Sequence, residues 1–234
     1  MLQKFLIENI DFDILDKKSK DVLILTHGLG GSKASSTSTA LAKNSSITTI
    51  KMSLWGHGKS KGNIQDLTVS KAVKSVQKVI DEAKKNGAKN IYYYGSSFGG
   101  LVGYFIAQNK DVKKIFLKCP LASMPELISE EQRKLWEKQG KISVSGIKLN
   151  YAYFEDSKKH VAYDIASKIQ TPVYIVHGDK DTTVPLTQSK KMLGLLPKAK
   201  LNVVNGANHR FAKEQHYNEM ISLLTKEIQK TNER

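Results

Sequence analysis

Ser97 has the sequence context that a serine nucleophile requires. It is the middle residue of Gly-Ser-Ser-Phe-Gly at residues 95–99, between the apolar runs 91–94 and 100–107. The first run predicts a buried strand and the second a helix, so the flanking glycines lie where a strand turns sharply into a helix. Such a turn leaves no room for a Cβ at those positions, and it holds the serine in a strained conformation at a helix N-terminus, where developing negative charge is stabilised. Ser96 lacks glycines at the equivalent positions and is not the candidate.

A serine hydroxyl is a weak nucleophile, so it needs a neighbouring base that is itself oriented by an acid. His209 is the predicted base, because it lies on a loop between the last predicted strand, residues 201–204, and the final helix. Two aspartates compete for the role of the acid. Asp179 and Asp181 both follow the apolar strand 172–176, at the end of a strand where parallel sheets form their sites. An aspartate after a glycine, such as Asp179, often only caps a turn.

Acyl transfer also needs hydrogen-bond donors for the oxygen that becomes negative. The backbone N–H of Phe98, directly after the serine, is one predicted donor. The backbone N–H of Leu29 is the other, since it lies in a glycine-rich loop at residues 26–32 after the short apolar strand 22–25. The same loop could instead cradle a phosphate, but it contains neither Gly-x-Gly-x-x-Gly nor Gly-Lys-Ser/Thr. Phosphate binding is therefore disfavoured.

Five segments carry a resemblance to one superfamily, and they follow one another in that superfamily's order. They are His-Gly-Leu at 27–29, Trp-Gly-His-Gly-Lys-Ser at 55–60, the serine turn at 95–99, His-Gly-x-x-Asp-x-x-Val-Pro at 177–185, and Gly-Ala-Asn-His-Arg-Phe at 206–211. With these segments the chain resembles the α/β-hydrolase superfamily. Within it, the chain is similar to the small bacterial and archaeal serine esterases of the feruloyl/cinnamoyl-esterase and serine-aminopeptidase-like (S33-type) group. Trp55 replaces the arginine that usually begins the second segment, and we expect that turn to be structural.

The resemblance implies an α/β-hydrolase fold and a catalytic triad of Ser97, Asp181 and His209, and it is the reason to prefer Asp181 over Asp179. It implies no metal and no organic cofactor. The function it favours is cleavage of carboxylic esters of small to medium acyl or aryl groups through an acyl-enzyme. A thioesterase, a monoacylglycerol lipase and a small-peptide peptidase would use the same triad. A hydrolase-like scaffold that binds a ligand or nucleic acid is the alternative that is not an enzyme.

The rest of the chain predicts one domain of the α/β class, residues 1–234. Short apolar strands alternate with amphipathic helices, which indicates a mainly parallel sheet with helices on both faces. A small cap is expected as an insertion at about 120–163, with a helix at 130–138 and a hairpin at 142–147, and a cap this short predicts an open site. Four aromatic residues of the cap either line an acyl or aryl pocket or seal the cap onto the body. They are Trp136, Tyr151, Tyr153 and Phe154.

The composition limits the partners and the location of the protein. The formal net charge is +15, but the lysines are spread over the predicted helices, so a solvated surface is favoured over a specific nucleic-acid site. A single cysteine, Cys119, excludes an internal disulfide and is predicted to pack in the core. Residues 1–10 are too polar for a signal peptide, and no apolar run is long enough to span a membrane. We therefore expect a cytoplasmic monomer or homodimer that acts on a small-molecule ester, with no membrane partner.

Overall fold

The structure is a computed structural model that describes residues 7–231. The first six residues, which belong to the segment predicted to be too polar for a signal peptide, and the last three lie outside this range. Within it, nine strands form two sheets. They are β1 (Phe12–Leu15), β2 (Asp21–Leu25), β3 (Thr48–Met52), β4 (Asn90–Ser96), β5 (Val112–Lys118), β6 (Lys141–Val144), β7 (Ile147–Asn150), β8 (Val173–Gly178) and β9 (Ala199–Val204).

Seven α-helices and three short 3₁₀ turns connect these strands. The helices are α1 (Ser36–Asn44), α2 (Val69–Lys85), α3 (Phe98–Ile106), α4 (Glu130–Gln139), α5 (Tyr151–Lys158), α6 (Leu186–Leu195) and α7 (Glu214–Gln229). The 3₁₀ turns are Ile64–Asp66, Pro125–Leu127 and Ala162–Lys168. No helix within residues 7–231 combines the length and the apolar character needed to cross a membrane.

The central sheet has seven strands in the order β1-β3-β2-β4-β5-β8-β9, and only β1 runs antiparallel to its neighbour. This confirms the predicted α/β class with a mainly parallel sheet. Because the strands are parallel, the segments after β2, β4, β8 and β9 all leave the sheet at the same edge. Those four segments contain the glycine-rich loop, the serine turn, the acid and the histidine predicted from the sequence.

Both faces of the sheet are covered, as the apolar runs in the strands predict. In β2, Val22 and Ile24 belong to one buried cluster, and Leu23 and Leu25 belong to the other. Helices α2, α3 and α6 pack on the first face, and α1 and α7 pack on the second. Successive side chains of a strand point to opposite faces, so only a strand buried on both sides has this continuous apolar pattern.

The chain between β5 and β8 forms a cap over this edge of the sheet. It contains α4, the antiparallel hairpin β6–β7 and α5, so the predicted helix and hairpin are both present. A hydrogen-bonded carboxylate fixes the cap to the body: Asp156 of α5 accepts bonds from the backbone N–H and the hydroxyl of Ser70 at the start of α2, at 2.8 and 2.6 Å. His160, just after α5, lies edge-on to Phe105 of α3, with ring centroids 4.9 Å apart. The cap is therefore held on α2 and on α3, the helix that follows the serine turn.

Candidate active site

Ser97 lies in a strained turn between β4 and α3. Its φ of 53° and ψ of −114° fall in a region that residues other than glycine rarely occupy. The backbone compensates with hydrogen bonds: the Ser97 N–H donates to the carbonyl of Lys118 at 2.9 Å, and the Ser97 carbonyl accepts from Leu121 at 3.1 Å. Both partners come from the segment at the end of β5. The strained conformation of the serine is thus supported by the neighbouring strand and not by the turn alone.

The glycines on either side of Ser97 are required by close backbone contacts. A Cβ on Gly95 would collide with the carbonyl oxygen of Gly99, and a Cβ on Gly99 would lie 2.5 Å from the carbonyl oxygen of His27. The buried hydroxyl of Tyr93 donates a hydrogen bond to the same Gly99 carbonyl at 2.7 Å. The predicted reason for the Gly-x-Ser-x-Gly pattern, the lack of space for a Cβ, therefore agrees with the structure.

The two competing aspartates have different partners. Asp181 Oδ2 lies 2.6 Å from Nδ1 of His209, and Asp181 Oδ1 accepts the backbone N–H groups of Thr183 and Val184, each at 2.9 Å. Asp179 instead accepts the backbone N–H of Gly206 at 2.6 Å, which ties the loop after β8 to the loop after β9. Asp181 thus contacts the imidazole, and Asp179 holds the loop that carries it.

The environment of Asp181 keeps its carboxylate ionised. Its side chain is fully buried, which alone would raise its pKa, but hydrogen bonds from His177 and His209 and the charge of His209 hold the pKa of the Asp181 carboxyl far below its usual value. An ionised acid bonded to Nδ1 leaves the opposite nitrogen, Nε2, available for proton transfer. This is the arrangement that a general base requires.

Ser97 is half-buried at the same edge of the sheet and lines a cavity of about 370 Å³ together with Leu29 and Phe98. Among residues 7–231 no hydrogen bond joins the Ser97 hydroxyl to His209. In enzymes without substrate this bond is often long and shortens only in the substrate complex. The structure therefore places Leu29 and Phe98 around the same cavity as Ser97, and it places Asp181 in contact with His209.

The loop after β2 packs directly against the serine. A Cβ placed on Gly28 would lie 3.2 Å from Cβ of Ser97, so the glycine allows the loop to approach this closely. Two buried histidines hold the loop: Nε2 of His27 accepts the N–H of Leu54 at 3.0 Å, and Nε2 of His57 accepts the N–H of Gly30 at 3.1 Å. His57 belongs to the Trp-Gly-His-Gly turn, so that turn is structural in the way that was expected.

The pH dependence of stability should report the buried state of His27. Burial lowers its pKa from 6.5 to about 4, so below about pH 6.5 the unfolded chain binds a proton that the folded protein binds only near pH 4. The free energy of unfolding should therefore fall by about 3 kcal/mol from this residue between those pH values. Urea denaturation at pH 7 and pH 4.5 should show a smaller loss in His27→Gln, whose amide can still accept the N–H of Leu54. Equal losses in both proteins would contradict this role.

The walls of the cavity beside Ser97 combine apolar and polar side chains. Residues from the start of the cap, from its hairpin and from the loop after β8 contribute them. They include Leu127, Ile128, Ile142, Val144 and Val184. A cavity of about 370 Å³ is within the size range of small-molecule sites.

Of the four cap aromatics, only Tyr153 lines this cavity. Trp136 is fully buried, stacks on Tyr153 with centroids 6.1 Å apart, and donates its indole N–H to the carbonyl of Leu149 at 2.9 Å. Phe154 packs against Trp136 at 5.8 Å and against Tyr151 at 5.8 Å. The sequence left two interpretations open, and the packing of Trp136, Tyr151 and Phe154 is that of residues that seal the cap.

One buried cluster contains residue types that metals bind. Ligand atoms of Cys119, His177 and Asp181 lie within 4.8 Å of one another, and a thiolate, an imidazole and a carboxylate are suitable zinc ligands. However, burial raises the pKa of the Cys119 thiol, and both nitrogens of His177 and both oxygens of Asp181 already make hydrogen bonds. The cluster is therefore better described as a hydrogen-bonded support for Asp181.

Comparisons with known proteins agree with this fold. The model of the prolyl oligopeptidase family matches residues 55–230, more than half of the chain. Est1E from Butyrivibrio proteoclasticus, solved with ferulic acid bound, has a TM-score of 0.82 and 24% identity, and the match covers 95% of this chain and 93% of Est1E. Alpha/beta hydrolase domain-containing protein 10 from mouse has a TM-score of 0.81 and 20% identity, with 95% and 94% of the two chains covered.

The chain is also similar in sequence to a curated protein whose name states an activity. The palmitoyl-protein thioesterase ABHD10, mitochondrial, of Bos taurus is 23% identical over 176 residues, which are 69% of this chain and 56% of the bovine protein. The chain thus spans a little more than half the length of that relative. By the family match over residues 55–230 the chain belongs to the prolyl oligopeptidase family, and its structure has the α/β-hydrolase fold.

Proposed function

We propose that this hydrolase cleaves carboxylic esters of small to medium acyl or aryl groups, with Ser97 as nucleophile, His209 as base and Asp181 as acid. The observation that carries the proposal is the hydrogen bond between Asp181 and Nδ1 of His209, at the edge of the sheet where the strained Ser97 lines a cavity with several apolar side chains. A serine, a buried carboxylate and an imidazole in this order along the chain are the components of a serine hydrolase.

In the proposed mechanism the Ser97 hydroxyl attacks the ester carbonyl while His209 takes its proton. The backbone N–H groups of Phe98 and Leu29 donate to the oxyanion, and Asp181 stabilises the imidazolium of His209. His209 then returns the proton to the leaving alcohol, which leaves an acyl group on Ser97. Water, deprotonated by His209, releases the acid and restores the serine.

Thioester cleavage is the second candidate, and one observation favours it. The matched relatives from Bos taurus and Homo sapiens are both named palmitoyl-protein thioesterases. The same triad would attack a thioester carbonyl, and the leaving thiolate would need less help from the acid form of His209. The two activities differ in the leaving group, so substrate assays separate them.

Initial rates on p-nitrophenyl acetate, butyrate, octanoate and laurate, beside matched acyl thioesters, test the proposal. Ser97→Ala is the necessary control, because exposed lysines and histidines hydrolyse activated acetate slowly without an active site. We expect esterase activity with an optimum at short to medium acyl groups. A preference for thioesters would select the second candidate, and rates that rise beyond about ten carbons would contradict the proposed acyl size.

The hairpin of the cap offers a test of where the acyl group binds. Ile142 of β6 lines the cavity and is half-buried, so Ile142→Trp should fill part of the cavity without disturbing the core. We expect the ratio of the octanoate rate to the acetate rate to fall by about tenfold, because a long acyl chain loses its space and acetate does not. Lys141→Ala, which replaces an exposed neighbour in the same strand, is the matched control. An unchanged ratio in Ile142→Trp would place the acyl group elsewhere.

The setting of this activity is proposed on sequence grounds. We propose a small-molecule ester as substrate, a monomer or homodimer as the working form, and the cytoplasm as the location. The net charge of +15 would favour the approach of anionic substrates, and this effect should weaken as salt is added.

A further inference from the structure

We propose that His177 positions the catalytic acid by donating a hydrogen bond from Nε2 to Asp181, an inference that rests on the proposed triad. His177 lies near the end of β8 and is fully buried. Its Nε2 is 3.1 Å from Asp181 Oδ2, the same oxygen that contacts His209. Two imidazoles therefore share one carboxylate oxygen, and only one of them belongs to the triad.

The hydrogen bonds of His177 define which nitrogen carries the proton. Nε2 also lies 3.0 Å from the carbonyl oxygen of Val184, which can only accept, so Nε2 must be the protonated nitrogen. Nδ1 lies 2.8 Å from the hydroxyl of Ser189, a fully buried residue of α6 that can donate to it. With Ser189 donating to Nδ1, the ring is held at both nitrogens, and its Nε2–H lies between Val184 and Asp181.

This N–H affects Asp181 in two ways. It fixes the carboxylate, because Oδ1 is held by the N–H groups of Thr183 and Val184, and Oδ2 gains a second contact beside that of His209. It also withdraws negative charge from Oδ2, the oxygen that stabilises the imidazolium of His209. His177 should therefore limit how strongly Asp181 favours the protonated form of His209.

Other titratable groups also face Asp181, and they remain in place when His177 is changed. Cys119 follows β5, and burial raises the pKa of its thiol, so it is uncharged. Lys118, the last residue of β5, interacts electrostatically with Asp181 and with Arg210, the residue after His209. These groups form a constant background against which the contribution of His177 can be measured.

Two amide variants provide a matched test. The amide of His177→Gln reaches the position of Nε2 and can still donate to Asp181, whereas the shorter amide of His177→Asn reaches only the side of Ser189. We expect His177→Asn to lower kcat/KM by about 10- to 100-fold and to move its acid limb upward by about 0.5 to 1 pH unit. The limb moves upward because Asp181, having lost a donor, stabilises the imidazolium of His209 more strongly. His177→Gln should keep the acid limb of the wild type.

The outcomes distinguish this inference from the proposed function. An acid limb that stays unchanged in His177→Asn, or that moves equally in both variants, would overturn the positioning role. If the wild type shows no turnover, the proposed function fails. The inference is then tested by NMR, through the downfield resonance of the proton in the His209–Asp181 hydrogen bond. The pH midpoint of this resonance should move upward in His177→Asn alone. If neither variant folds, Ser189→Ala is the deciding variant, because it removes the hydroxyl that donates to Nδ1 of His177. The acid limb should then move upward by a smaller amount, and an unmoved acid limb would refute the inference.

Discussion

Replacing Ser97 by alanine is expected to lower kcat/KM for p-nitrophenyl butyrate by about 10⁴- to 10⁶-fold. The reason is that no other group can form the covalent acyl-enzyme, while the oxyanion donors and the cavity still provide a small rate above that in water. The Ser97 hydroxyl makes no hydrogen bond to another residue in the part of the chain that the structure describes, so alanine should leave the fold intact. Initial rates and circular dichroism of both proteins check the two statements together.

Ser96→Ala is the matched control for this experiment. Ser96 is adjacent in sequence and has the same side chain, but it ends β4 and does not line the cavity. Its rate should stay within about threefold of the wild type. A comparable loss in both variants would mean that the turn is sensitive to any change, and equal activity of Ser97→Ala and the wild type would show that Ser97 is not the nucleophile.

The second large effect is expected from Asp181→Asn, which should lower kcat/KM by about 10⁴-fold. An asparagine at this position cannot balance the charge of the His209 imidazolium, and its amide N–H₂ favours the wrong tautomer of the imidazole. The pKa of Asp181 lies far below the range of activity measurements, so this carboxylate stays ionised throughout, and its titration should not appear in the pH profile. The loss should therefore be present at every pH tested.

Asp179→Asn separates the two aspartates that compete in the sequence. Its side-chain oxygen can still accept the N–H of Gly206, so the loop that carries His209 should keep its position. We expect a loss of less than about tenfold, to be measured with the same ester and the same urea denaturation curve. A large loss of activity in Asp179→Asn together with a small loss in Asp181→Asn would show that Asp179, and not Asp181, is the acid.

The main features of the fold and of the site are predictable because they depend on local patterns. The apolar strand before Ser97 and the glycines around it predict the turn. A Cβ at either glycine would collide with backbone atoms, and the same turn places Ser97 at a positive φ. The meeting of the serine, the acid and the histidine is predictable because parallel strands end at one edge of the sheet. Local patterns were not enough to choose Asp181 over Asp179, and that choice needed the resemblance to a known superfamily.

Most of the interactions that the sequence did not predict join residues that are far apart in the chain. His27, His57 and His177 stand in the motifs that were identified. His27 and His57, however, accept the backbone N–H groups of Leu54 and Gly30, and Nε2 of His177 lies 3.1 Å from Asp181. Each of these histidines looks like a possible catalytic residue when it is considered alone. Only the folded structure shows that they support backbone groups or the acid instead.

The cap aromatics illustrate the same limit. The spacing of Trp136 and Tyr153 is compatible with a pocket wall or with a sealed interface. The choice depends on the hairpin β6–β7, where the carbonyl of Leu149 accepts the indole N–H of the buried Trp136. A single sequence does not reveal where a hairpin will lie, so the two interpretations remain equal until the packing is known.

The most direct test of the account is to locate a covalent adduct by mass spectrometry. The intact protein would be treated with a fluorophosphonate, which reacts with activated serines, and the modified peptide would be sequenced, with Ser97→Ala and Ser96→Ala treated in parallel. The account predicts one adduct per chain, on Ser97, present in Ser96→Ala and absent from Ser97→Ala. No adduct on the wild type, or an equal adduct on Ser97→Ala, would contradict the claim that this chain is a serine hydrolase that acts through Ser97.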